Sequence, residues 1–181
     1  MKKVFTVGSG FEVPDGTYVH SILDPLVMCG AAEAPQENLS LALGVIPPST
    51  DSRIHLHPLV SQVTWVVEGN LAVKMKEPSI DKPYLLELQQ HEAVLTKAGT
   101  FFQLINRGSV PCQTLYVVTP AFIFVTDKNG QVIYNDAIVF GESWEELAGN
   151  GWPIPESDDL ESRLAQRNLA IRHATTPKDS H

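Results

Sequence analysis

The stretch RIHLHPLVSQVTWVVEGN, residues 53–70, decides how the rest of the chain is interpreted. It places His55 and His57 two positions apart in a run of β-forming residues. Side chains at i and i+2 of a strand point to the same side, so the two imidazoles share a face and Leu56 takes the other. Two imidazoles spaced in this way can bind one divalent ion. The alternative is a pair of surface or packing histidines with no metal.

Short β-like runs separated by turn residues fill most of the chain. The turns Glu68-Gly69-Asn70 and Lys128-Asn129-Gly130 are typical of tight hairpins. Many short strands with frequent turns predict an all-β protein, an antiparallel sandwich or barrel. The predicted strands are 3–7, 38–46, 53–57, 62–68, 70–75, 84–89, 93–96, 101–106, 113–119, 121–126 and 131–140.

The two ends of the chain differ from this pattern and suggest three segments. Residues 1–37 predict an N-terminal arm, which is irregular over the glycine- and proline-rich residues 8–37. Residues 38–140 predict the barrel, and residues 141–181 predict C-terminal helices and a tail. Ser143-Trp144-Glu145-Glu146 has the pattern of a capping box before a helix over 144–148, with Gly149 after it. A second helix is predicted over 158–172, and the last eight residues are expected to be disordered.

Composition excludes several classes of function. The chain has 181 residues with 13 Lys and Arg against 21 Asp and Glu, a net charge of -8, which argues against nucleic-acid binding. It has no apolar run of about 18 residues, so no transmembrane helix is expected, and its N-terminus lacks the pattern of a signal peptide. Cys29 and Cys112 match no zinc or redox spacing. A reduced, cytoplasmic setting is the expectation.

The histidine strand and the strand after it resemble the first motif of the cupin superfamily. That motif is His-x-His, four residues, Glu, six residues, Gly. Here it is His55-Leu-His57, four residues, Gln62, six residues, Gly69, so the spacing matches and glutamine replaces the glutamate. The glycine that precedes the motif by six residues is Ser49 in this chain.

A second motif of the same family, Pro-x-Gly-x-x-His-x-x-x-Asn, matches residues 97–106. Gly99 and Asn106 agree with it, whereas the proline is Lys97 and the histidine is Phe102. His91 precedes these residues, at a position where the family usually has a further glycine. The resemblance covers about residues 40–125.

The resemblance implies a small antiparallel β-barrel of the double-stranded β-helix, or jelly-roll, type with metal and substrate inside. His55 and His57 correspond to the first two metal ligands and Gln62 to the third, while the fourth position is Phe102. Gln103 is a further candidate, although strand alternation sends it to the opposite face unless a bulge resets the register. Zinc, nickel, iron, manganese and copper all suit imidazole ligands.

Replacing a carboxylate by an amide weakens metal binding and leaves the ion a stronger Lewis acid. Such an ion could polarise a carbonyl or enol, or bring a substrate and dioxygen together. The expected function is that of a metal-dependent oxygenase or isomerase acting on an enolisable or aromatic substrate, with a metal-free sensor or carrier as the alternative. By analogy with the family, we expect a homodimer that binds a small organic molecule. The candidate substrate-binding residues are Phe102, Thr64, Val66, Gln103 and Tyr116.

Overall fold

A computed structural model of the chain describes residues 5–24, 26, 38–141, 143–153 and 155–175. Within these ranges the chain forms a run of antiparallel strands followed by two helices. The strands are β1 (Gly10–Glu12), β2 (Tyr18–Leu23), β3 (Ser40–Ile46), β4 (Thr50–Asp51), β5 (Ile54–Leu56), β6 (Ser61–Glu68), β7 (Leu71–Lys76), β8 (Tyr84–Leu88), β9 (Ala93–Thr96), β10 (Phe101–Asn106), β11 (Cys112–Thr119), β12 (Phe124–Thr126), β13 (Val132–Asn135) and β14 (Ile138–Gly141). The helices are α1 (Trp144–Gly149) and α2 (Ser157–Thr175).

Two larger sheets enclose the core. One has the strand order β1-β2-β3-β11-β6-β9, and the other has the order β14-β5-β10-β7-β8, with β4 also paired to β10. A separate pair is formed by β12 and β13. The predicted all-β, antiparallel architecture with a C-terminal helical extension is confirmed. Within the described ranges, no helix has the length and apolar character needed to cross a membrane.

Alternation along β6 and β11 gives the first sheet its inner face. In β6 the buried side chains are Gln62, Thr64 and Val66, and the residues between them are half-buried. In β11 every second residue from Cys112 to Val118 is buried. These inward side chains pack with those of the second sheet, because a two-residue period keeps one face of each strand in the core. The core between the sheets includes Val66, Val73, Met75, Phe102, Leu104 and Tyr116.

Strand β10 is buried on both faces, which explains the continuous apolar run FFQLI. One face of the strand contributes Phe102 to the core between the sheets. The other contributes Phe101 to a second cluster beneath α1, which includes Trp144 and Leu147. The predicted cap of α1 is present, since Ser143 Oγ accepts a hydrogen bond from Glu146 N at 3.1 Å. The glycine of the C-terminal turn is Gly151, with φ of 74°, rather than Gly149, which ends the helix.

A buried ion pair fixes α2 to the β12–β13 hairpin. Arg167 Nε donates to Asp136 Oδ1 at 3.0 Å, and the same carboxylate accepts from Tyr134 Oη and Ile123 N. Asp136 is fully buried, and burial raises the pKa of its carboxyl against the opposing effect of Arg167. Breaking such a pair is costly because one buried charge is left uncompensated.

The two predicted hairpins have different outcomes. The Lys128-Asn129-Gly130 turn joins β12 to its partner β13, so that hairpin is confirmed. The prediction of a hairpin at Glu68-Gly69-Asn70 is wrong. Its turn connects β6 in the first sheet to β7 in the second, because β6 pairs with β9 and β11 whereas β7 pairs with β8 and β10. A tight turn signal therefore marks a corner between sheets here, not a pair of bonded neighbours.

Other predicted boundaries shift as well. The arm predicted as irregular contributes β1 and β2, and β2 pairs with β3, so this segment extends the first sheet. The predicted strand 131–140 is two strands, β13 and β14, separated at Asp136. Of the predicted strand 3–7, residues 3 and 4 lie outside the described residues, and 5–7 form no strand. The predicted tail begins inside α2, and residues 176–181 lie outside the described residues.

The surviving residues of the second motif have structural roles. Gly99 adopts φ of 80°, which suits glycine. The Asn106 amide is buried, and it donates to Ile46 O at 3.0 Å and to Val110 O at 2.8 Å while accepting from Gly108 N. The motif's asparagine therefore ties β10 to the segments on either side of it.

The two positions at which the motifs lack their glycines keep a glycine-like backbone. Ser49 has φ of 55° and His91 has φ of 73°. A left-handed conformation costs an L-residue about 1–2 kcal/mol, so both turns carry strain that glycine would relieve. The His91 ring also stacks on Trp65, with 6.0 Å between ring centroids, so Ser49 is the cleaner position for a test.

We predict that Ser49→Gly stabilises the protein by about 0.5–1 kcal/mol, because relief of the strained φ exceeds the added freedom of glycine in the unfolded chain. Denaturant unfolding measures the change. Ser79→Gly is the matched control, since Ser79 lies in a turn and is not among the residues with positive φ. Equal effects of the two substitutions would show that the turn at Ser49 is not strained.

Candidate functional site

A cavity of about 360 Å³ opens between the sheets, beside the histidine strand. Its wall is mostly apolar, and it is formed by the β1–β2 segment, β3, β11 and the segments around β12 and β13. Polar side chains gather around the two histidines. They include Asp15, His55, His57, Gln62 and Tyr116. The structure thus brings the three predicted metal ligands and one predicted substrate-binding residue to one cavity, although their roles stay predictions.

His55 is held with one ring nitrogen committed and the other available. Its Nδ1 lies 2.9 Å from Arg53 O, and because a carbonyl only accepts, Nδ1 carries the proton. Nε2 is then the ring nitrogen left for a metal ion or for an ion pair with Asp15. A hydrogen bond from the far nitrogen to a backbone carbonyl is the arrangement that orients most metal-binding histidines.

His57 lies deeper, and one of its nitrogens has no partner. Its side chain is 6% exposed, and Nδ1 is buried without a hydrogen bond. Burial, with a contribution from neighbouring His55, holds the pKa of His57 well below its usual value. The ring is therefore neutral at physiological pH and can serve as a ligand or as a hydrogen-bond partner.

Gln62 presents an oxygen to this region. In the structure its Nε2 donates to Thr64 Oγ1 at 2.9 Å. Oε1 is then the acceptor that remains for a cation or a ligand. Thr64 thus acts by orienting Gln62 and is not part of the cavity wall.

Phe102 replaces an imidazole of the family motif and packs on both histidines. Its ring centroid lies 4.0 Å from that of His55 and 5.2 Å from that of His57. The side chain belongs to the core between the sheets and does not line the cavity. Its predicted contact with a substrate is therefore not seen, and its ring instead fixes the positions of the imidazoles.

Gln103 and Val66 are also away from the cavity. The alternation of β10 places Gln103 on the outer face, where Nε2 donates to Ser52 O at 2.7 Å and Oε1 accepts from Trp144 Nε1 at 2.7 Å. No bulge brings Gln103 inside, so its assignment to the site is corrected. Val66 is buried in the core and does not line the cavity.

Tyr116 lines the cavity, which settles the orientation of its strand. Its ring lies against Gly44, where an added Cβ would overlap the phenol. The hydroxyl is buried without a hydrogen bond, and burial raises the pKa of this phenol. The hydroxyls of Thr114 and Thr17 oppose part of that shift, but neither reaches hydrogen-bond geometry.

Sequence analysis missed Asp15, the carboxylate nearest to the histidines. Its Oδ2 lies 3.7 Å from His55 Nε2. The turn signal Pro14-Asp15-Gly16 could have indicated the β1–β2 hairpin. The contact with His55 spans forty residues of sequence and depends on how that hairpin packs on the barrel.

The donor atoms around the cavity suit a divalent ion. Among the described residues, no three His, Cys, Asp or Glu side chains gather as a metal-binding group. The predicted metal ligands are two imidazoles and one amide oxygen. The imidazole centroids are 5.4 Å apart, and two imidazoles that share one ion have centroids roughly 4.5–5.5 Å apart for metal–nitrogen distances of about 2.1 Å.

Comparisons with known proteins point to one architecture. No protein-family model matches the chain. The tetracenomycin polyketide synthase protein TcmJ of Streptomyces glaucescens is 24% identical over 75 residues, which are 41% of this chain and 46% of that protein. The match thus spans less than half of that relative's length.

Two solved structures illustrate the similarity in fold. The cupin domain of Drosophila melanogaster CENP-C has a TM-score of 0.50 at 12% identity, over 61% of this chain and 70% of that one. An oxalate oxidase in complex with glycolate has a TM-score of 0.52 at 19% identity, over 66% of this chain and 59% of that one. At these identities the similarity shows the fold alone.

We predict that Tyr116→Phe raises the free energy of unfolding by about 1 kcal/mol, because it removes a buried hydroxyl that lacks a partner. Tyr134→Phe is the matched control. Its hydroxyl donates to Asp136 Oδ1 at 2.8 Å, so its loss should destabilise the protein by about 1.5 kcal/mol. Thermal or denaturant unfolding compares the two variants. Destabilisation by Tyr116→Phe would mean that the hydroxyl is satisfied in the folded protein.

Proposed function

Because the chain has the cupin fold and an apolar cavity that ends in a polar cluster, we propose that it binds and chemically transforms a small organic molecule there. The proposed reaction is oxidation by dioxygen or isomerisation of an enolisable or aromatic substrate, at a divalent metal bound by His55, His57 and Gln62. The observation that carries the proposal is a pair of buried polar atoms, on two residues that line the cavity, for which the folded chain provides no hydrogen bond. They are His57 Nδ1 and Tyr116 Oη.

Unpartnered buried polar atoms are costly, so their presence together favours a ligand that satisfies them. Each such group costs about 1–3 kcal/mol when it is left without a hydrogen bond. A bound ligand can supply the missing hydrogen bonds. Buried polar groups without a partner are rare in folded proteins, and they are often found at functional sites. Because the rest of the wall is largely apolar, the ligand combines an apolar body with one polar end.

The charges of the cavity favour a substrate without a negative charge. Its wall contains the carboxylates of Asp15 and Asp24, and no Lys or Arg lines it among the described residues. A buried carboxylate or phosphate finds no cationic side chain in this wall, so only the charge of a bound metal could offset its desolvation cost. Apart from a group bound directly to the metal, this favours neutral phenols, ketones or polyketide-like rings over phosphorylated sugars. The similarity to a protein named for a polyketide synthase supports that class.

The residues around the polar end suit a carbonyl or phenol oxygen. When bound, a divalent ion would act as a Lewis acid toward such an oxygen. Tyr116 keeps its proton because burial raises its pKa, so its hydroxyl can donate a hydrogen bond to the same oxygen. His57 is neutral and offers a nitrogen that can accept or release a proton. The apolar wall excludes water from the bound molecule.

A metal-free carrier or sensor is the second candidate, and Phe102 is the observation that favours it. Its apolar ring stands where the family places an imidazole ligand, against both histidines. In this alternative His57, Gln62 and Tyr116 bind the ligand by hydrogen bonds alone.

The homodimer and the cytoplasmic location also stay predictions. The edge strand β8, with exposed Leu85 and Leu86, is a candidate surface for self-association.

We predict that the purified protein, supplied with divalent metal and desalted, retains about one equivalent of metal, and that His55→Ala loses most of it. Elemental analysis measures the content. His91→Ala is the control, because His91 is exposed and lies away from the cavity. Equal metal content in wild type and His55→Ala, whether high or near zero, would show that the proposed metal site does not exist.

We also predict that the chelator-treated protein binds 2-naphthol at least about tenfold more tightly than 2-naphthoate, because only the latter brings a charge into the cavity. Calorimetric titration measures both affinities. Replacing both cavity aspartates by asparagine should reduce the difference between the two affinities. Equal or tighter binding of the carboxylate would contradict the proposed substrate class.

A further inference from the structure

The proposed metal site lacks a carboxylate on the barrel strands. Gln62 occupies the position of the family's glutamate, so a divalent ion held by His55, His57 and Gln62 alone would keep its full charge. The three ligand side chains are each at most 6% exposed. A buried, uncompensated charge is strongly unfavourable. The chain therefore needs a negative group close to these ligands if it is to hold the ion.

Asp15 is the negative group that the structure places there. Its Oδ2 lies 3.7 Å from His55 Nε2, a separation that two atoms bound to one ion can have at metal–ligand distances of about 2.1 Å. Both residues line the cavity, and the Asp15 side chain is 11% exposed. A direct hydrogen bond between the two atoms would be shorter than this.

The hydrogen bonds around Asp15 and His55 leave one atom of each side chain facing the other. His55 Nδ1 donates to Arg53 O, so Nε2 is the ring atom that faces Asp15 Oδ2 at 3.7 Å. An ionised carboxylate is an acceptor only. A cation held between the two atoms would stabilise this arrangement, as would a proton on Nε2, which would make the contact an ion pair.

Asp15 is positioned by contacts that leave Oδ2 available. Its Oδ1 accepts from Thr17 N at 2.9 Å and from Thr17 Oγ1 at 2.8 Å. Its backbone oxygen accepts from Arg53 N at 2.7 Å, which attaches the β1–β2 turn to the start of the histidine strand. Arg53 thus contacts Asp15 with its N–H and His55 with its carbonyl, and this sets the two side chains against each other.

Building on the proposed function, we propose that Asp15 becomes a ligand when the divalent metal binds and supplies, from the β1–β2 turn, the carboxylate that Gln62 does not provide. The side chains shift to reach the ion, because no three His, Cys, Asp or Glu side chains of the described residues already form a metal-binding group. The barrel strands then hold the ion by neutral donors, and the N-terminal segment closes the site with a negative one. A consequence is that metal binding and the docking of this segment on the barrel stabilise each other.

Titration of the chelator-treated protein with Co²⁺, followed by calorimetry and by the visible absorption of the bound ion, tests this assignment. Asp15→Asn should weaken Co²⁺ binding about 10–100-fold and change the absorption bands. Asparagine retains the oxygen that accepts from Thr17, so the turn is kept. Asp24→Asn removes the same charge from the same cavity and should change the affinity less than about threefold.

A second variant moves the carboxylate back to the barrel strand. Gln62→Glu in the Asp15→Asn background should recover most of the lost affinity, because the glutamate then occupies the position that the family motif gives it. Wild-type affinity in Asp15→Asn, with binding lost in His55→Ala, would overturn the assignment of Asp15 and keep the metal site. Equal binding in wild type and His55→Ala would overturn both. A loss in Asp15→Asn that Asp24→Asn reproduces would show a general charge effect and would also overturn the assignment.

Discussion

The pairing register between strands is the constraint on which the cavity depends. His55 faces Phe102 across β5 and β10, Gln62 lies opposite Val118 in β11, and Tyr116 lies opposite Thr64 in β6. Because the side-chain period of a strand is two, these pairings put the imidazoles, the amide and the phenol on inner faces together. A slip of one residue in β6 would turn Gln62 outward and bring Val63 and Trp65 into the core.

Within this frame, the residues that resemble the two motifs have roles in the backbone. Asn106 and Gly99 support turns and strand ends, and the turns at Ser49 and His91 keep a left-handed backbone even without glycine. At the positions that correspond to the motifs' metal ligands, Gln62 stands in place of a carboxylate and Phe102 in place of an imidazole. The cavity is mostly apolar with few polar groups at one end, as is typical of sites for small organic ligands.

Some of this could be predicted from residue pattern alone. The His-x-His spacing and the alternation of β6 place His55, His57 and Gln62 on inner faces. Alternation along β10 likewise places Gln103 on the face opposite to Phe102, outside the site. The position of Asp15 could not be predicted, since its distance to His55 comes from the packing of a hairpin predicted as an irregular arm. The Glu68-Gly69-Asn70 turn misled for a related reason, because a local turn signal does not say which sheet the next strand joins. The orientation of Tyr116 depended on the register of β11 against β3 and β6, which no local pattern contains.

We infer that side chains of the cavity wall bind one cation. An anomalous difference map from a crystal of the full chain soaked with Co²⁺ would locate that cation. We expect one peak in the cavity, about 2.0–2.3 Å from His55 Nε2, from Gln62 Oε1, from Asp15 Oδ2 and from a ring nitrogen of His57. A cavity without a peak, while exposed histidines such as His91 carry cobalt, would contradict it.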